Sequence, residues 1–318
     1  MADTSHPGGA QARIFIDGEA GTTGLEIRER LAAEPSIAVA SIAHEKRKDA
    51  EARQALMADV DLVVLCLPDA AAVDAVALAD ALGNRAPRII DASTAHRVAD
   101  GWVYGFPELD AQQSDAIRAA RRVANPGCYP TGAIALVRPL VDAGLLPQDH
   151  PVTVNAVSGY SGGGRQMIEA YEIEKTAPAF ELYGLGLAHK HVPELERYGR
   201  LTRRPMFVPS VGNFRQGMLV SLPVHLDALA GKPSPLDIER ALAEHYADAE
   251  LVRVVPSAER EALGGRLDAL ALNGTDKLEI FVFPDADGRQ ALLVARLDNL
   301  GKGAAGAAVQ NIRLMLGL

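Results

Sequence analysis

The chain has 318 residues and little cysteine or aromatic character: two cysteines, one tryptophan and 5% aromatics in all. Two cysteines, Cys66 and Cys128, are too few to staple a secreted framework, and Met1 to Gln11 contains no basic stretch followed by an apolar one. A reducing cytoplasm is the expected compartment. Long hydrophobic runs are missing as well. The longest, 60–67, is interrupted by Asp61 and stopped by Pro68, well short of the ~18 apolar residues of a spanning helix, so membrane insertion is not expected. Positive charge is in deficit, with 32 basic against 41 acidic residues and a formal net charge of -9, which argues against a nucleic-acid partner and its basic face. Internal repeats and low-complexity linkers are absent apart from a loose, glycine-containing N-terminal tail.

What remains is ordinary globular material, 48% hydrophobic and 23% charged, long enough for two domains at roughly 150 residues each. The first half alternates short apolar runs with helical patterns. Strands are expected at 13–17, 37–43, 60–67, 88–91 and 122–124, and helices at 22–33, 49–58, 70–82 and 108–120, the grammar of successive βαβ units on a parallel sheet. A helix at 129–142 follows. From 152 onward strands dominate, at 152–157, 206–211, 217–226, 270–273, 278–284 and 291–297, with helices near 165–175 and 235–246, which predicts a mainly antiparallel second sheet. The Gly- and Ala-rich ending, 299–318, has helical period and could return to pack on the first domain.

Four clusters carry chemistry. Gly18, Gly21 and Gly24, with Thr22 and Thr23, lie between the first strand and the first helix, where glycines permit a tight turn and the N–H groups opening the helix can bind a pyrophosphate. The spacing is GxxGxxG rather than GxGxxG, and a purely structural turn is the competing reading. After the second strand, Ser41 to Lys48 is basic and includes Lys46 and Arg47, which favours a ribose 2′-phosphate and hence NADP, although Glu45 would suit NAD and a solvated charged loop is the plain alternative.

Asn125-Pro126-Gly127-Cys128-Tyr129-Pro130-Thr131 places a cysteine at a helix N-terminus, whose partial positive charge should favour thiolate and make Cys128 a nucleophile. Cys66, inside an apolar strand, reads as inert. Ser158-Gly159-Tyr160-Ser161-Gly162-Gly163-Gly164-Arg165 offers backbone donors and a guanidinium to an anionic substrate, or is simply a turn. His189-Lys190-His191-Val192-Pro193-Glu194 brings two imidazoles, an amine and a carboxylate together. No further zinc ligands are recognisable, so no metal is expected, and one histidine suits general acid–base work beside Cys128.

These segments, in this order, together with Asp298-Asn299-Leu300-Gly301-Lys302-Gly303-Ala304-Ala305-Gly306, resemble the N-acetyl-γ-glutamyl-phosphate reductase family of arginine biosynthesis, in its shorter subtype, over nearly the whole chain. The resemblance implies an α/β fold: a Rossmann-like dinucleotide-binding domain, 1–127, completed by the C-terminal helix 299–318, plus an α+β substrate and dimerisation domain, 128–298, with a mainly antiparallel sheet. It implies NADPH-dependent reductive dephosphorylation of N-acetyl-γ-glutamyl phosphate to N-acetylglutamate semialdehyde and phosphate, through a thioester on Cys128. His189 is assigned to proton exchange, with His191 as the alternative base. Ser158, Gly159, Arg165, His191 and Glu194 are assigned to substrate, and Asn299, Gly301, Lys302 and Gly303 join the cofactor site. A homodimer or homotetramer is expected. Three rivals stay open: an aspartate-semialdehyde dehydrogenase with the same covalent logic, a cysteine hydrolase, and a non-catalytic NADP-binding regulatory protein.

Overall fold

The apolar runs of the first half are short because each strand is covered on both faces and need span only one layer. The computed structural model describes residues 11–318; the expected N-terminal tail, 1–10, lies outside the described residues. Strands β1 (Ala12–Asp17), β2 (Ile37–Ala40), β3 (Leu62–Leu65), β4 (Arg88–Asp91), β5 (Val103–Tyr104) and β6 (Arg122–Ala124) form a parallel sheet in the order β2-β1-β3-β4-β6-β5. Side chains alternate between two cores, as the two-residue period of a strand demands. Ile14, Ile16, Leu62, Val64 and Ile90 enter one, while Phe15, Val63, Leu65 and Ile89 enter the other.

Helices α1 (Thr22–Leu31) and α4 (Gln113–Ala119) cover the first face, and α2 (Ala50–Met57) and α3 (Asp69–Asp80) the second. Helix α5 (Cys128–Asp142) then leaves this sheet and is buried from Tyr129 to Val141.

The second sheet contains β7 (Thr153–Gly159), β8 (Phe180–Leu182), β9 (Met206–Gly212), β10 (Met218–His225), β11 (Val252–Val254), β12 (Leu278–Pro284) and β13 (Gln290–Leu297), in the order β11-β12-β13-β10-β7-β9-β8. Its pairs are mixed but mostly antiparallel. One face packs on α5, α7 (Val192–Tyr198) and α8 (Pro235–His245), with α6 (Gly164–Glu172) and α9 (Ser257–Glu261) at the margins. The opposite face is open: Phe180, Leu182, Leu219, Phe283, Leu292 and Val294 line an apolar groove of about 770 Å³. The chain finally re-enters the first core, where Val309, Ile312 and Met315 of α10 (Gly306–Leu316) join the side chains beneath β1, β3 and β4.

The structure departs from the sequence expectations in identifiable places. Segment 270–273 is a run of turns: Asp268 accepts from Leu270 N–H at 2.9 Å and Asn273 N–H bonds back to Leu270 O at 3.0 Å, so these groups close locally instead of joining a ladder. The helix expected from 108 begins at Gln113, because Asp110 holds a turn through Gln112 N–H. Strands β5, β8 and β11 and helices α7 and α9, all short, stand where the sequence reading placed no element. Among the described residues no helix is long and apolar enough to cross a membrane.

Candidate active site

Cys128 is the first residue of α5, with Gly127 as its N-cap. Gly127 is glycine for lack of room: a Cβ there would stand 2.6 Å from Arg97 Nη1, 2.8 Å from His191 Nε2 and 3.0 Å from Glu194 Oε1. Its N–H donates to Glu194 Oε2 at 2.9 Å, the oxygen that also accepts from Tyr104 OH at 2.9 Å. The other carboxylate oxygen accepts from Arg97 Nη1 at 2.8 Å. Burial, rather than the helix terminus, governs the thiol. It is pushed up to about 11, against the pull of the Arg97 charge and of the first N–H groups of α5, which corrects the expectation that its helix position leaves Cys128 readily ionised. Cys66 goes up to about 12 through burial, with Asp91 and Asp17 adding to the shift, and suits its inert reading.

Cys128 opens into a cavity of about 360 Å³ that also receives Thr22, Thr23, Arg97, Ser158, His189 and His191. His191 N–H donates to His189 Nδ1 at 3.2 Å, so neutral His189 carries its proton on Nε2. His189 sits among the rings of Tyr129, Tyr183, His191 and Phe207, with centroids 4.7 to 6.1 Å away. Partial burial and then Lys190 lower its pKa. His191 is fully enclosed and lies well below the ordinary histidine value through burial, with Arg97 next. Both imidazoles are therefore neutral near pH 7, and His189 is the easier to protonate.

Arg97 is a residue the sequence reading missed. It is buried, is held by Glu194 and by the Ala92 carbonyl at 3.1 Å, and keeps Nε without a partner in the protein. A signal existed: Asp91 to Arg97 is the loop leaving β4 at the carboxyl edge of a parallel sheet, where ligands of such sheets bind. Tyr104, on the two-residue β5, gave none.

Gly18 takes φ +92°, and a Cβ there would come within 2.3 Å of Cys66 O, so the turn needs glycine on both counts. Gly21 N–H closes the turn on Gly18 O at 3.0 Å, and Gly21 caps α1 with no side-chain bond, which leaves the first-turn N–H groups facing outward. That cradle fits a dinucleotide pyrophosphate. Ser41 lies beside it, bonded to Arg28 and Glu19, whereas Lys46 and Arg47 are exposed on and after a short 3₁₀ turn, His44–Lys46.

Other sequence assignments land elsewhere. Arg165 does not line the cavity: its side chain is 82% exposed and pairs with Glu169 on its own helix at 3.5 Å. Glu194 is likewise no cavity group, because both its oxygens are committed to Arg97, Tyr104 and Gly127. Lys302 is buried, with Nζ 2.8 Å from both Glu108 oxygens and 2.6 Å from Gln310 Oε1, so its charge is spent inside the protein rather than offered to a cofactor. Gly301 packs against Thr275 O in the same turn. Ser158, Gly159, Asn299 and Gly303 do line the cavity; Asn299 fixes the loop by donating to Ser161 Oγ at 2.9 Å, and a Cβ on Gly303 would lie 2.9 Å from Cys128 Cβ. Among the described residues no group of three or more His, Cys, Asp or Glu could hold a metal ion.

Comparison with known proteins agrees with this geometry. Residues 13–117 match the NAD-binding domain of semialdehyde dehydrogenases, and residues 128–299 match their dimerisation domain. The N-acetyl-gamma-glutamyl-phosphate reductases of Sinorhizobium medicae and Brucella ovis are 54% and 55% identical, each over 96% of this chain and 98% and 99% of their own lengths. An aspartate semialdehyde dehydrogenase from Candida albicans, solved with NADP, shares the fold at a TM-score of 0.66 and 14% identity, over 96% of this chain and 99% of its own. Sequence identity of that extent, joined to a cysteine-headed helix facing a glycine turn, leaves one conclusion: the chain belongs to the N-acetyl-gamma-glutamyl-phosphate reductase family.

Proposed function

We propose that the protein reduces N-acetyl-γ-glutamyl phosphate to N-acetylglutamate 5-semialdehyde with release of phosphate, using NADPH and a thioester on Cys128. The observation that carries this reading is the single cavity in which Cys128, Arg97, two neutral imidazoles and the head of the glycine turn meet. The printed names of the relatives and the NADP of the Candida neighbour support it.

Arg97 lines the cavity and receives the phosphate end, while the loop 158–164 holds the remainder of the substrate through backbone groups and Ser158. Sγ of Cys128 attacks the acyl carbon, and the carbon–oxygen bond to phosphate breaks. The thiol proton ends on the departing phosphate, so a thiol held near 11 in the free protein need not ionise before substrate arrives. The turn at Gly18, Gly21 and Gly24 would hold NADPH, which would supply the hydride that reduces the thioester. His189 Nε2–H donates a hydrogen bond to the oxygen as its charge develops and keeps its proton; when the carbon–sulfur bond breaks the aldehyde leaves, and the sulfur takes up one proton from solvent, which restores the thiol. His191, too far below neutral pH to hold a proton, fixes the His189 ring instead.

Residues 1–127 with 299–318 serve the cofactor, and 128–298 serve substrate and assembly. The open apolar face of the second sheet pairs subunits into a homodimer, or a tetramer of such dimers, in keeping with the dimerisation-domain match. The cytoplasm is its place of work, since a free nucleophilic cysteine needs reducing surroundings.

The test runs the reaction backwards, following phosphate-dependent reduction of NADP and of NAD with N-acetylglutamate semialdehyde and, in parallel, with aspartate semialdehyde. NADPH formation with the acetylated aldehyde is the expected result. Preference for aspartate semialdehyde, or silence with both, would overturn it.

A further inference from the structure

Two side chains that the sequence never implicated meet Ser41 at the outer edge of the cofactor turn. Glu19 belongs to the turn itself, Arg28 projects from α1, and Ser41 follows β2. Arg28 Nη1 donates to Ser41 Oγ at 2.9 Å, Ser41 donates to Glu19 Oε2 at 3.0 Å, and that same carboxylate oxygen is ion-paired with Arg28 Nη1. A guanidinium and a hydroxyl thus close on one anionic oxygen. They do so just past the second strand, where a nucleotide site of this topology contacts the adenosine ribose. The cluster is open to solvent, with the Arg28 side chain 48% exposed, so Glu19 can leave it by a side-chain rotation that breaks only a weak surface pair.

We propose that Arg28 and Ser41 form the seat of the NADPH ribose 2′-phosphate, and that Glu19 occupies this seat in the free protein as a built-in competitor. The proposal deepens the NADPH reading and rests on it. A phosphate dianion outbids one carboxylate for the guanidinium because it brings more charge and more acceptor oxygens. The 2′-hydroxyl of NAD brings neither and leaves Glu19 paired. Lys46 and Arg47, exposed and outside the cluster, contribute long-range attraction only. Selectivity between the two cofactors then resides in the Glu19–Arg28–Ser41 group.

The experiment titrates the full-length protein with 2′,5′-ADP and with 5′-AMP by calorimetry, which reads the seat without any catalysis. Wild type should prefer 2′,5′-ADP. Arg28→Gln should weaken 2′,5′-ADP by about 10- to 100-fold, the range of a charge-assisted bond, while 5′-AMP stays within about twofold and so certifies an intact turn. Glu19→Gln should tighten 2′,5′-ADP several-fold, roughly the gain from removing a weak competing pair. Unchanged 2′,5′-ADP affinity in Arg28→Gln, or a larger loss in the joint Lys46→Ala and Arg47→Ala variant, would overturn the proposal and leave the NADPH reading standing. Equal wild-type affinity for the two nucleotides would remove both.

Discussion

Two strand-to-helix turns stand at the carboxyl edge of the parallel sheet, and they are built on opposite plans. The turn after β1 is defined by its own residues: Gly18 supplies the positive φ, Gly21 closes the bend, and the first N–H groups of α1 are left uncapped. The turn after β6 is clamped from outside. Gly127 N–H goes to Glu194, 67 positions away, Asn125 N–H goes to Asp91 O, and Asn125 Nδ2 reaches Ala304 O. A site that must take up and release a cofactor each turnover keeps its backbone donors free. A site that must hold one sulfur atom in place ties its backbone to the rest of the molecule.

The largest consequence belongs to the clamp. Glu194→Ala would leave the buried Arg97 charge without its counter-ion and Tyr104 OH and Gly127 N–H without an acceptor, and should lower stability by about 3–5 kcal/mol in denaturant unfolding and abolish turnover, with NADPH still bound by the folded fraction. Loss of NADPH binding in folded Glu194→Ala would mean that the two turns form one unit.

Proton chemistry separates the turns next. With its folded pKa raised to about 11, Cys128 gains thiolate as pH rises, so its alkylation by iodoacetamide in the free protein should accelerate about tenfold per pH unit, roughly a hundredfold from pH 7 to 9. NADPH affinity over the same range should move less than about twofold, since backbone donors do not titrate. An alkylation rate already flat at pH 7 would show a thiolate that burial does not suppress.

Gly18→Ala attacks the other turn. A Cβ 2.3 Å from Cys66 O at positive φ should cost NADPH affinity about tenfold or more, while the Cys128 alkylation rate stays put. The smallest effect is expected of Lys302→Met: NADPH affinity within about twofold of wild type and a lower melting temperature, because the amine serves Glu108 and Gln310 rather than the cofactor.

The same contrast explains what could be read from the sequence. Strands β4 and β6 and the turn at Gly18 announce themselves locally, through apolar runs with abrupt ends and through glycines at a strand-to-helix junction. Cys128 is announced by its neighbours Asn125 to Thr131. The clamp is not, because Arg97, Tyr104 and Glu194 come from three distant segments and their meeting is a property of the folded chain. Distance also misled in the other direction: Arg165 and Lys302 look like anion binders in their motifs, yet one turns to solvent and the other finds a buried carboxylate. The ionisation of Cys128 failed to follow from its helix position because desolvation, invisible in the sequence, outweighs a terminal partial charge.

Turnover passes through a covalent bond between substrate and Cys128, which intact-mass analysis can detect. Protein mixed with N-acetyl-γ-glutamyl phosphate in the absence of NADPH should gain one N-acetylglutamyl group, mapped to Cys128, and release one equivalent of phosphate, and Cys128→Ser should gain none. Phosphate release with no adduct on Cys128, or an adduct that persists in Cys128→Ser, would contradict the account.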